Sequence, residues 1–157
     1  MNVSLLVVSI IAGAQPTTVA SAPRAAPDLV IEAYLSTAGP YGEGWSFTLT
    51  PGGDVALEVF FGEPSGSLMA RFHMPDKYVE DLRQTIESEH FFDLPAEISA
   101  KMVPLHQPDF RLTIILGQRK HKVSLYDPEH IKTDPNVARF LKIWRQMFQP
   151  MPVKPSW

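Results

Sequence analysis

A chain of 157 residues, 45% hydrophobic and 20% charged, has the length of one domain and enough apolar residues to bury a core without covalent staples. A net charge of -3 and a pI near 5.9 argue against a general nucleic-acid binder, which needs a basic face to release counterions. The absence of cysteine excludes disulfides, thiol catalysis, Cys-ligated zinc and the lipidated cysteine that anchors a bacterial lipoprotein.

Residues 1–22 read as a signal peptide. An apolar run from Val3 to Ala12 gives way to small and polar residues, and Ala12-Gly13-Ala14 and Ala20-Ser21-Ala22 both have the small–x–small form of a cleavage site. Pro23 disfavours cleavage after Ala22, which leaves Ala14, Ala20 and Ser21 open. The run falls short of the roughly 20 apolar residues that span a bilayer. No Lys or Arg precedes it, so a start further upstream stays open, and the competing reading is a buried N-terminal strand or helix. Export implies a periplasmic or secreted protein with no membrane span in its mature chain. Residues 23–27 read as a linker, 28–149 as one α+β domain and 150–157 as a proline-rich tail.

Within the domain, "DLVIEAYLS" (28–36) is a strand with Leu29, Ile31 and Ala33 on one parity. "AGPYGEGW" (38–45) holds three glycines and a proline and reads as a loop. "SFTLT" (46–50), "VALEVFF" (55–61) and "LMARFHM" (68–74) alternate as strands around the turns "PGGD" and "GEPSGS". The period then changes. "PDKYVEDLRQTIESEHFF" (75–92) opens on Pro75 and carries Val79, Leu82 and Ile86 at helical spacing. The helix is expected to reach Phe92 and to stop at Asp93-Leu94-Pro95, because Pro95 disfavours helical geometry at Leu94. Phe91 and Phe92 then close over the sheet as a clasp. Residues 93–108 are a long connection with no assignable element. "DFRLTIILGQRKHKVSLYD" (109–127) is a hairpin turning at "GQRK", and "DPEHIKT" (127–133) a loop. Asp134 caps a second helix with Pro135 at its first position and a stripe of Val137, Leu141, Trp144 and Phe148, with Phe140 beside it.

Strands, helix, hairpin, helix pack most simply as a two-layer α+β sandwich. One antiparallel sheet of about five to six strands carries both amphipathic helices on one face. The runs "GWSFTLTPGGDV", "HFFDLP" and "FRLTIILGQRKHKVSLYD" with the last helix resemble a group of small exported bacterial domains of unknown function, over roughly residues 45 to 148. The resemblance rests on hydrophobic and turn positions. It implies fold and export and carries no catalytic residue.

No nucleophile elbow is present, and Ser65 and Ser67 sit in a glycine turn. His73, His90, His106, His121 and His130 form no tight metal pair. The best local groups are Asp127, Glu129 and His130, and His106 with Asp109, each short of a full ligand set. Glu87 and Glu89 do not face each other on a helix. The expectation is therefore no catalytic residue, no metal and no cofactor. Tyr41 and Trp45 in the first loop, and Met102 and His106 in the long connection, are the candidate binding residues. Inward packing is the alternative for Trp45. The chain reads as a non-enzymatic exported binding protein, an inhibitor or immunity protein for a secreted toxin or hydrolase. A small-ligand or cell-envelope structural module and an enzyme with a scattered site are the alternatives.

Overall fold

The computed structural model describes residues 28–37, 44–60, 67–100 and 108–151. Among them seven strands form one sheet: β1 (Leu29–Ser36), β2 (Gly44–Leu49), β3 (Asp54–Phe60), β4 (Ser67–His73), β5 (Glu97–Ile98), β6 (Asp109–Leu116) and β7 (Arg119–Tyr126). Their order across the sheet is β4-β3-β2-β1-β6-β7-β5. Helices α1 (Asp76–Ser88) and α2 (Pro135–Phe148) complete an α+β sandwich. The expected signal peptide and linker, and residues 152–157 of the tail, lie outside the described residues. Among the described residues no helix is long and apolar enough to cross a membrane.

The sheet has one strand more than expected, and it is mixed rather than purely antiparallel. Glu97 and Ile98 pair parallel with Ser124 and Leu125. Two residues are too short to carry a period, so this strand is silent in the sequence.

Alternation decides which face is buried. Ile31 is opposite Leu49 and Ile114, Ala33 opposite Phe47 and Leu112, and Leu35 opposite Trp45 and Phe110. Val55, Leu57 and Val59 extend these rows on β3, and Val123 and Leu125 on β7. All of these side chains are buried in one core with Val79, Leu82 and Ile86 of α1. From α2 come Val137, Phe140, Ile143, Trp144, Met147 and Phe148. Leu141 is only partly buried, so the α2 stripe is rotated from the expected one toward Ile143 and Met147. Aromatic rings join the layers. Phe47 lies 5.6 Å from Phe148, and Phe110 meets Trp144 edge-on at 5.2 Å.

The helix ends follow local chemistry. Asp134 Oδ1 accepts from the Asn136 N–H at 2.8 Å and caps α2, with Pro135 behind it. α1 stops at Ser88, four residues before the expected Phe92. His90 takes a left-handed conformation, φ 50°, the place a C-terminal glycine fills in many helices. A single 3-10 turn, Phe91–Asp93, then aims Phe91 into the core, where it is fully buried. Its ring sits edge-on to Phe92 at 5.8 Å and to His121 at 5.6 Å. His121 Nε2–H donates to the Leu94 carbonyl at 2.8 Å. Phe92 is half-buried beneath the Arg119 guanidinium, 4.3 Å from its ring centre.

The α1 terminus is held by α2. Arg139 donates to the carbonyls of Glu89 and His90, both at 2.7 Å, and Lys142 pairs with the Glu89 carboxylate. At the other end of the pair, the Tyr78 hydroxyl of α1 donates to the Gln146 carbonyl of α2. After α2 the chain turns back onto the core at Met151. Met151 is buried and its N–H donates to the Phe148 carbonyl at 3.2 Å, so part of the expected tail is structured.

Candidate functional site

Every strand that buries one face offers the other, and no helix among the described residues covers it. At one end of this outer face Phe60, Gly44, Ser36, Asp109 and Tyr126 are successive register partners. The next row holds Glu58, Ser46, Tyr34, Arg111 and Ser124. Most of the face is polar, as alternation requires, but these two rows contain an aromatic pair and an arginine.

Gly44 makes the pair possible. A Cβ there would come within 2.2 Å of Phe60 Cδ2 and 2.4 Å of Cε2, so the edge of the Phe60 ring fills the space a side chain at 44 would need. Tyr34 sits beside it, ring centres 6.2 Å apart, and is 37% exposed. The Arg111 guanidinium lies 5.8 Å from the centre of the Tyr34 ring and 2.5 Å from Asp109 Oδ2. The hydrogen bond to Asp109 and its charge, with a smaller effect from Tyr126, push the Arg111 pKa further up, so the cation is permanent. The other carboxylate oxygen, Asp109 Oδ1, is buried and has no hydrogen bond. Tyrosine and arginine are among the residue types enriched at the energetic centres of protein interfaces.

The sequence-predicted residues divide around this end of the sheet. Trp45 is 3% exposed and points into the core, where it meets Phe148 edge-on at 6.4 Å and 89°. Its contribution there is to packing. Tyr41, Met102 and His106 lie outside the described residues, in segments 38–43 and 101–107. The attachment points of those segments are described. Ser36 is the register partner of both Gly44 and Asp109, so the two segments reach the sheet at neighbouring strand ends, in the row next to Tyr34 and Arg111. Sequence reasoning missed Tyr34, Phe60 and Arg111. The available signal was parity: Tyr34 and Phe60 stand at even positions of strands whose odd positions form the core, and Arg111 at an odd position of β6, whose even positions do.

The groups weighed for catalysis or metal binding are arranged differently. Asp127 and Asp109 are brought to the same end, because the Asp127 N–H donates to the Pro108 carbonyl at 3.3 Å. Asp127 is buried and left-handed, φ 51°, and accepts from His130 Nδ1–H at 2.7 Å. Glu129 is exposed. Glu87 pairs with Arg83 and Arg119, and Glu89 with Lys142, so these two acids are committed to separate ion pairs. Among the described residues no three His, Asp or Glu side chains are grouped to hold a metal ion. Further along the outer face, Thr48, Thr50, Asp54, Ala56 and Arg71 line an open cavity of about 530 Å³.

No protein-family model matches the chain, and no characterised protein matches its sequence.

Proposed function

We propose that the chain is an exported, non-enzymatic binding protein that engages a secreted or periplasmic protein, as an inhibitor or immunity protein does. One observation carries this reading: the sheet face that neither α1 nor α2 covers places Tyr34, Phe60 and Arg111 together at the end where the 38–43 and 101–107 segments attach. The rings and the guanidinium are held by Gly44 and Asp109 before any partner arrives, which lowers the ordering cost of binding.

The test is affinity capture from the native host, with Tyr34→Ala and Arg111→Ala as paired controls. Both side chains face solvent, so the variants keep the core intact. Trp45→Ala is unsuitable as a control because Trp45 belongs to the core. A stoichiometric exported protein that is retained by the wild type and lost by both folded variants supports the reading. Retention by both variants refutes this surface as the site.

The small-ligand reading draws on the outer-face cavity. Arg71 lines it, and among the described residues no ion pair engages that guanidinium. Small carboxylates are the matching chemistry. A thermal shift with a carboxylate panel, abolished by Arg71→Ala, is the result that reading requires.

A further inference from the structure

Among the described residues strand β4 is hydrogen-bonded on one side only, to β3, and forms one margin of the sheet. Its two large apolar side chains at the margin are open to water, Leu68 at 54% and Met69 at 58%. Among the described residues most of the devices that blunt such margins are missing from β4, whose one permanently charged side chain is Arg71. Ser67–His73 contains no proline and no lysine, and its register with β3 runs from end to end without a bulge.

The direction of the free peptide groups follows from one hydrogen bond. The Met74 N–H donates to the Gly53 carbonyl, which faces Met74 toward β3. By strand alternation Phe72, Ala70 and Leu68 also turn their N–H and C=O to β3, and Ser67, Met69, Arg71 and His73 turn theirs outward.

We propose that β4 is the contact between two copies of this chain, paired antiparallel about a two-fold axis at Ala70. In this register Met69 of one copy faces Arg71 of the other, and Ser67 faces His73. All four are outward-directed residues, so four pairs supply about eight ladder hydrogen bonds, two to each pair. On the core side Leu68 meets Phe72 across the axis and Ala70 meets Ala70. These are the closely spaced pairs of an antiparallel ladder, about 4.5 Å between Cα atoms. Leu68 then gains the apolar neighbour that neither α1 nor α2 provides, and the two sheets become one. Neighbouring registers are poorer. An axis at Arg71 sets two guanidinium groups opposite each other, and an axis at Met69 carries Phe72 and His73 past the Ser67 end of β4. A two-fold contact of this kind is isologous and closed, so pairing stops at two copies.

The charge across Met69 reads out the register. In sedimentation equilibrium of the full-length protein purified from its host, the wild type is a dimer at about 100 μM. Met69→Glu sets a carboxylate opposite Arg71 and dimerises at least as tightly. Met69→Lys sets like charges opposite each other at two symmetric places and loosens the dimer about tenfold. Both substitutions fall on a side chain already more than half exposed, and circular dichroism checks the fold. Amide exchange gives a second readout on the wild type alone: Met69 and Arg71 become protected as concentration rises. A wild type that stays monomeric overturns the proposal, as does equal loosening by both variants or concentration-independent exchange at the two amides. Capture through Tyr34 and Arg111 uses other side chains, so either proposal can fail without the other.

Discussion

The end of α1 offers the sharpest test of the packing. The helix lacks a glycine cap and has no basic residue in its last turn, yet its last carbonyls carry the negative end of the helix dipole. Arg139 of α2 supplies what is missing. Its Nε donates to the Glu89 carbonyl and its Nη2 to the His90 carbonyl, both at 2.7 Å, while Nη1 reaches Asn136 Oδ1 at 3.2 Å. A hydrogen bond from a charged group is worth about 1.5–3 kcal/mol, and two are lost in Arg139→Ala. His90 is exposed, so water recovers part of that loss. A net destabilisation of about 2 kcal/mol is therefore expected. Arg139→Lys keeps the charge but cannot fork across two carbonyls, and recovers about half of it. Lys142→Ala removes the partner of Glu89, whose side chain is only 15% exposed, and costs about 1 kcal/mol. Urea unfolding reads all three as shifts in midpoint at constant slope. A loss below about 0.5 kcal/mol for Arg139→Ala, or a lysine as good as arginine, would refute a role for the fork in capping α1.

Phe91→Ala should destabilise the protein by about 3–5 kcal/mol in a thermal melt, because a fully buried ring is removed from between Phe92 and His121. Phe92→Ala should cost less, since that ring is only half-buried, and equal losses would contradict the burial pattern. Tyr78 gives a pH signature. Burial, and secondarily the Asp81 charge, push its pKa from 10.0 up to about 12. The neutral phenol is favoured by the folded state, so its contribution is complete below pH 10 and is lost as pH rises through about 12. The melting temperature of the wild type should fall more steeply across that window than that of Tyr78→Phe, and parallel curves would remove Tyr78 from the alkaline transition.

Alternation made the sheet legible, because residues such as Ile31, Phe47, Leu57 and Leu112 carry the period of a half-buried strand in their own identities. The Asp134-Pro135 start of α2 was legible for the same local reason. What escaped depended on partners far away in sequence. α1 stops early through the left-handed His90 and through Arg139, which lies 50 residues beyond Glu89. β5 exists only because β7 is beside it. Trp45 was ambiguous because a loop and a strand meet there, and the register with Leu35 and Val59 turns it inward. The Tyr34–Phe60–Arg111 group needed three strands in register before it became a group at all.

The position of β1 governs the order in which the molecule can be completed. It pairs with β2 through a short connection, whereas its other side is closed by β6, whose partner for Leu29 is Leu116. A chain emerging from the ribosome can fold the β1–β4 meander and α1 early. Until residues 109–116 appear, that half-sheet has two open margins, β1 as well as β4, and its apolar face lacks the aromatic residues of α2. A nascent chain halted before β6 is thus a template for intermolecular pairing, and holdase chaperones should associate with this stage of synthesis more than with any later one.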